Sequence, residues 1–317
     1  MGRNAGFLVL GKNFLVIFAA MILAWEGLQY WPIIVHIKGK TPEENFSIRM
    51  PLKDKRRLEY FFRDVCFLNA WAYTLIGSKP MSIHQYRKPW AAVQYFLFHP
   101  ELKDMLLHCF WPPKFREICF FCYPEHLRIK LGWEALNKYA PYISNSRFAL
   151  YTYPSKYCEC LAIIDKKKFI KIIERYPEDF QEILQQQVAE LGQLFDDKNL
   201  YPFVKRLDHD GLIGTVLGFG RENAWLFKKS RELNNGEWPL TSPWEEFDDA
   251  HLEALDARDR SFLPWDISDL YYPVFACDPN SEETRQLKQA YRREREEIIK
   301  YYEEKDVVEA TLSLLNR

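Results

Sequence analysis

Arg147-Phe-Ala-Leu-Tyr-Thr-Tyr153, Pro154-Ser-Lys156 and Tyr157-Cys-Glu-Cys-Leu-Ala-Ile-Ile164, followed at once by Asp165-Lys-Lys-Lys-Phe169, form the stretch that decides the fold class. Two runs rich in Phe, Tyr, Leu and Ile are separated by three residues that include a proline, the pattern of a β-hairpin. Asp165 then stands where a helix N-cap belongs, because its short carboxylate can accept the first unpaired backbone N–H groups. Phe169, Ile172, Ile173 and Tyr176 follow at helical spacing. Pro177 opens a further helix, whose Phe180, Ile183, Leu184, Val188, Leu191, Leu194 and Phe195 make the most regular amphipathic stripe in the chain. That stripe reads as core. A hairpin followed by a helix pair predicts an α+β fold with segregated elements, not the alternating units of a parallel sheet.

Working outward, helices dominate. Pro51 opens one with Leu58, Phe61, Phe62 and Val65 along a single face. Lys53, Lys55, Arg56 and Arg57 fill its first part, where cations oppose the helix dipole. They read either as a solvated face or as a contact for anionic lipid. Residues 70–81 are an aromatic and apolar stretch closed by the turn residues Gly77 and Pro80. Short helices are expected over Pro89–Phe98 and from Pro100 onward, the second ended by Pro112-Pro113. Residues 234–280, rich in Asp, Pro and Trp, predict ordered irregular structure. Asn280 and Glu283 form a capping-box pattern for a last, charged helix from Ser281 to about Glu304, with Leu287, Tyr291, Ile298 and Tyr302 on one side.

The N-terminus sets the cellular address. Arg3 and Lys12 precede an unbroken apolar run, Phe14–Trp25, of twelve residues. That is enough for the hydrophobic core of a signal peptide, but no small-residue cleavage pattern closes it, since Ile22 lies two positions before Ala24. Spanning windows are Phe7–Trp25, interrupted by Lys12 and Asn13, and Phe14–Ile37, interrupted by Glu26, Gln29 and Pro32. Trp25, Tyr30 and Trp31 suit an interfacial aromatic belt. The run therefore reads as an uncleaved, single-pass signal-anchor touching lipid through residues 7–37, with the body on the exported side. A cleaved signal that releases a secreted body is the alternative, and a buried soluble helix the third reading. Residues 38–48 look like a polar linker out of the membrane. The expected organisation is a membrane segment over 1–37, a helix-dominated α+β domain with a small hairpin or sheet over 38–280, and a charged C-terminal helix over 281–317.

A net charge of −1 over 317 residues excludes a global electrostatic footprint for nucleic acid, so none is expected as a partner. Hydrophobic residues at 48 % and aromatics at 16 % suffice for a well-filled core and leave rings over for an interface. Seven cysteines, an odd number, leave at least one without an intrachain disulfide partner.

Three constellations carry residues capable of chemistry. Cys119-Phe-Phe-Cys122, with His126 and with Cys158-Glu-Cys160 on the hairpin, offers thiolates for zinc or for redox exchange. The apolar surroundings make buried core thiols the competing reading. Gly211-Leu-Ile-Gly214-Thr-Val-Leu-Gly218-Phe-Gly220-Arg-Glu-Asn223 places Gly218, Gly220, Arg221 and Asn223 at an elbow that could touch a ligand. Gly214 and Gly218, four apart, equally permit close backbone packing, and Gly218 and Gly220 can end one helix before Arg221 begins the next. Asp208-His209-Asp210 gathers two carboxylates and an imidazole in a turn, the groups of an acid–base pair or a hydrolytic metal site. No Walker loop, nucleophile elbow or His-Glu-x-x-His pair is present.

Ala72-Tyr-Thr-Leu-Ile-Gly-Ser-Lys-Pro80, the Asp165-Lys-Lys-Lys-Phe169 helix start and Leu217-Gly-Phe-Gly-Arg-Glu-Asn223 together resemble a family of uncharacterised bacterial proteins with an N-terminal membrane or export segment. The resemblance spans residues 50–230 and implies localisation, with no activity attached. The expected function is a non-enzymatic envelope protein that acts through protein contacts, with no cofactor. The alternative is a metal-dependent hydrolase or a cysteine-based metal or redox protein.

Overall fold

From Cys160 to Asp165 every residue is buried, which a strand achieves only with neighbours on both edges and cover on both faces. The protein, described by a computed structural model over residues 27–87, 125–143, 147–154, 158–181, 207, 210–232, 267 and 270–317, supplies all four. Strand β4 (Phe148–Pro154) lies antiparallel on one edge of β5 (Cys158–Asp165), as the hairpin pattern predicts. Strand β3 (Met81–Arg87) pairs antiparallel with the other edge, with Met81 opposite Ile164 and Gln85 opposite Cys160. The hairpin is thus two strands of a three-stranded sheet ordered β3-β5-β4. The third strand was hidden because Met-Ser-Ile-His-Gln-Tyr-Arg carries few apolar residues.

Two cores flank this sheet. Leu161, Ile163 and Phe148 enter the larger one, built by α1 (Leu52–Phe62), a π-helical turn (Arg63–Leu68), α2 (Trp71–Leu75), α3 (Glu125–Tyr139), and the C-terminal helices α7 (Glu282–Tyr302) and α8 (Val307–Leu315). Met81 and Ile164 enter the smaller one, with Phe169 and Ile173 of α4 (Lys166–Arg175), Phe180, Leu207, and Leu212 and Val216 of α5 (Asp210–Val216). Helix α6 (Arg221–Glu232) follows α5. Small antiparallel sheets among helices make the fold α+β. Much of the aromatic content fills the larger core: Phe61 meets Trp71, and Tyr73 meets Tyr291, edge to face at centroid distances of 5.9 and 5.5 Å. The predicted α1 stripe is correct, since Leu58, Phe61, Phe62 and Val65 are fully buried, and Asp165 caps α4 by accepting from the Lys168 N–H at 3.2 Å.

Both ends of the described chain differ from expectation. Residues 32–37 are strand β1 (Pro32–Ile37), antiparallel to β2 (Phe46–Pro51), so a helix does not run through to Ile37 and residues 38–48 are not a linker but the hairpin turn and the start of β2. Alternation explains it: Val35, Ile37, Ile48 and Met50 face the core while Ile34, His36, Ser47 and Arg49 face outward. The charged helix predicted from Ser281 to about Glu304 is present, with Tyr291, Ile298 and Tyr302 on its buried side, but residues 281–317 are not one helix. They form α7 and then α8, whose Val-Val-Glu-Ala-Thr-Leu-Ser-Leu-Leu is apolar almost all round and therefore buried. Helix α8 lies along the unpaired edge of β1, where Glu309 accepts from the His36 N–H (3.0 Å) and Ser313 from the Lys38 N–H (2.9 Å). The edge that β2 leaves open is closed in this way by side chains of the C-terminal helix.

No helix of the described residues is long and apolar enough to cross a membrane. The apolar run Phe14–Trp25, the helices expected from Pro89 to Pro112, and the amphipathic stripe from Ile183 to Phe195 lie outside the described residues.

Candidate functional site

Three stretches far apart in sequence meet at one junction. They are the end of α2 with its turn (Thr74–Pro80), the start of α4 (Asp165–Phe169), and the elbow Leu217–Asn223 between α5 and α6. Helix α7 supports the turn and the elbow, and its Glu294 interacts electrostatically with Lys168 of α4. Tyr291 of α7 donates to the Gly218 carbonyl at 2.6 Å, and Lys168 of α4 donates to the Thr74 carbonyl at 2.6 Å. A Cβ on Gly218 would lie 2.8 Å from the Tyr291 hydroxyl and 3.2 Å from both Lys79 and Pro80, so the elbow is seated on the α2 turn without room for a side chain. Ser78 in that turn bonds to Glu294 of α7, whose carboxyl is raised by burial.

At the centre stands Lys79, only 4 % exposed. Its ammonium donates to Ser82 Oγ at 3.2 Å and lies 5.4 Å from the centroid of the Phe219 ring, which itself stacks on Phe275. Ser82 donates to the Ala70 carbonyl at 3.0 Å, so Thr74 is the donor in its 2.8 Å contact with Ser82. Ala70 holds a left-handed backbone, φ 61°, unusual for a residue with a side chain, and its carbonyl is held by bonds from Ser82 Oγ and the Tyr73 N–H. Burial pushes the Lys79 ammonium down to about 7. A lysine of that basicity beside a serine hydroxyl has the parts of a base and a nucleophile. Ser82 is 0 % exposed, however, so its hydroxyl does not face solvent. Nearby, His84 on β3 is buried and its imidazole is driven down to about 4 by the same desolvation. The sequence shows Lys79 only as part of a Gly-Ser-Lys-Pro turn, and its burial follows from β3, which was not foreseen.

Adjacent to Lys79 is an ionic cluster at the N-terminus of α4. The buried Asp165 accepts from Arg147 Nε and Nη2 at 2.9 and 2.7 Å, as well as capping α4. Lys168 Nζ lies 3.2 Å from the same carboxylate; burial lowers its pKa while Asp165 opposes the shift.

The elbow itself is filled from within the chain. Gly218 (φ 78°) and Gly220 (φ 88°) take left-handed conformations that end α5 and start α6, as the glycine pattern predicts. Gly214 allows close approach, since a Cβ there would come within 2.7 Å of Ala224. The N–H groups of Arg221 and Asn223, which would receive an anionic ligand, instead donate to Glu283 of α7 at 2.9 and 3.1 Å. Glu283 is thus a cap supplied in trans to α6, and the expected Asn280–Glu283 box does not form. Ser281 caps α7 by accepting from the Thr284 N–H at 3.0 Å. Asn223, fully buried, accepts from the Asp278 N–H and Thr284 Oγ1 and donates to the Phe219 carbonyl. The Arg221 guanidinium binds Asp179 through two nitrogens at 2.5 and 2.7 Å, the first cause that raises its pKa.

The other predicted sites are separated from this junction or fall outside it. Asp210 opens α5 and is held by Arg231 of α6 at 2.7 and 2.8 Å, while Asp208 and His209 lie outside the described residues. Cys158 and Cys160 lie on β5, opposite Arg87 and Gln85, with Cys160 buried; Cys119 and Cys122 lie outside the described residues. Cys66 and Cys277 are buried too, and burial pushes the Cys66 thiol up to about 12, against bonds with Tyr302 and Thr311. Among the described residues no group of three His, Cys, Asp or Glu side chains is arranged to hold a metal ion. No family model matches this chain, and neither a curated protein nor a solved structure matches it.

Proposed function

We propose that the chain is a membrane-anchored protein of the cell envelope whose folded body acts by contact with other proteins and not by catalysis. The observation that carries this reading is how the reactive groups at the junction are used. Glu283 occupies the elbow N–H groups, Asp179 binds Arg221, and Lys79 and Ser82 are sealed in the core. Asp210, the described member of the Asp-His-Asp turn, is engaged by Arg231. These bonds join elements distant in sequence, which suits a rigid platform. The anchor is assigned to the spanning window Phe7–Trp25, which contains the apolar run Phe14–Trp25, with Arg3 and Lys12 ahead of that run favouring an exported body.

Alkaline extraction of membranes from cells expressing the full chain tests the reading. The chain is expected to stay in the membrane pellet, and a Leu15→Asp/Ala20→Asp variant to move to the supernatant. Each carboxylate in the middle of a span disfavours insertion by roughly 3 kcal/mol. Extraction of the unaltered chain sinks the anchor, and a secreted species starting near residue 27 establishes cleavage instead. Stoichiometric zinc in the purified full chain would overturn the non-catalytic half of the reading.

A further inference from the structure

Four of the seven exposed large hydrophobic residues among those described fall in one seven-residue segment. They are Leu28, Tyr30, Trp31 and Ile34, 47, 57, 66 and 54 % exposed. Ile34 lies on the outward face of the β1–β2 hairpin, and the other three lead into its open end, where Pro32 pairs with Pro51. Cations accompany them. The exposed Arg49 is the cross-strand partner of Ile34. Lys53, at the start of α1, donates to the Tyr30 hydroxyl at 3.0 Å and lies 4.3 Å from the centre of its ring. Of the basic residues that follow, Lys55 pairs with Asp306, Arg56 donates to Gln29 and Arg57 approaches Asp54, which ties all three into the fold. The acidic residues of the hairpin, Glu43 and Glu44, lie in the turn at its other end, roughly 20 Å along the strands.

We propose that this face docks on the anionic headgroup surface of a phospholipid bilayer, with Leu28, Tyr30 and Trp31 at the headgroup boundary and Arg49 and Lys53 on lipid phosphates. The chemistry matches the occupant. Tyr and Trp have an apolar body and a polar tip suited to the interface, and Lys and Arg supply the complementary charge. The reach of the chain matches as well. Trp31 follows Trp25 by six residues, so it cannot lie more than about 20 Å from the end of the apolar run. The inference rests on the anchor reading. It adds an orientation, in which the open end of the hairpin faces the bilayer and its acidic turn points away.

Hydroxyl-radical footprinting of the full chain, reconstituted in vesicles of phosphatidylcholine and phosphatidylglycerol, tests it. The readout is oxidation of Trp31 and Ile34 relative to Tyr142, a residue 62 % exposed elsewhere on the surface. An Arg49→Glu/Lys53→Glu variant is expected to lose protection at Trp31 and Ile34. The loss corresponds to a shift of at least roughly thirty-fold in the docked equilibrium, what two surface cations contribute together, with the repulsion of the two added carboxylates on top. An Arg49→Lys/Lys53→Arg variant should keep the protection, and high salt or vesicles of phosphatidylcholine alone should remove it. Equal oxidation of Trp31 in the unaltered chain and the charge-reversed variant, with both in the vesicle fraction, overturns the docking while leaving the anchor intact. Failure to recover the unaltered chain with vesicles overturns both. Protection that grows with the protein-to-lipid ratio identifies a second copy of the chain as the occupant and also overturns the proposal.

Discussion

Lys79 is the residue whose role is furthest from its appearance in the sequence. An ammonium with a hydroxyl and an aromatic ring as its described partners is costly to bury, and the cost appears as a basicity lowered to about 7. The unfolded chain, with an ordinary lysine near 10.5, holds a proton that the folded chain gives up between those two values. Stability therefore rises with pH across that interval, and the full penalty is present below it. The thiol of Cys66 acts in the opposite sense above about 9, where the unfolded chain ionises it and the folded chain does not. A Lys79→Met variant should accordingly be more stable than the unaltered chain at pH 7, with its advantage shrinking by about 2 kcal/mol between pH 7 and pH 9. Urea denaturation of both proteins at the two pH values measures this. A pH-independent difference would mean that Lys79 titrates normally.

Among the elements, α6 shows how a sequence pattern can name the right residue for the wrong helix. Glu283 sits three positions after Asn280, the capping-box spacing, yet its carboxylate turns across to the first N–H groups of α6. Ser281 takes over as the cap of α7, which frees Glu283 for this task. Glu283→Ala should cost roughly 2 kcal/mol, because two helix-terminal N–H groups lose their acceptor in a half-buried place, and Glu283→Gln should cost about half as much. The urea midpoints of the two variants decide it, and an alanine variant indistinguishable from the unaltered chain would show that water replaces the carboxylate freely. The α4 cap was legible because Asp165 acts within three residues of itself. The Glu283 cap was not, since it joins groups about sixty residues apart.

At the scale of the whole molecule, the two ends of the described chain stabilise each other. Helix α8 buries Val307, Val308, Leu312, Leu314 and Leu315 and closes the open edge of β1. Five such side chains contribute on the order of 10 kcal/mol of burial, as large as the net stability of a typical domain. A chain ending at Lys305 should therefore lose cooperative unfolding and its near-ultraviolet circular dichroism, and a folded, cooperative truncated chain would show that the larger core stands without its last helix. The sequence by itself determined the locally coded features. These are the hairpin of β4 and β5, the Asp165 cap, the apolar stripe of α1 and the glycine-ended helix α5, each set by spacing within about a turn of helix or a strand. Tertiary structure alone decided the third strand β3, the burial of Lys79, the use of Glu283 by a distant helix and the pairing of Pro32–Ile37 into a hairpin. Strands β1 and β2 are close in sequence, but the helix that covers the free edge of β1 is 273 residues on from His36, so one physical reason serves all four. Burial and strand pairing depend on partners tens to hundreds of residues away, and a short run of residues carries no record of which distant surface will cover it.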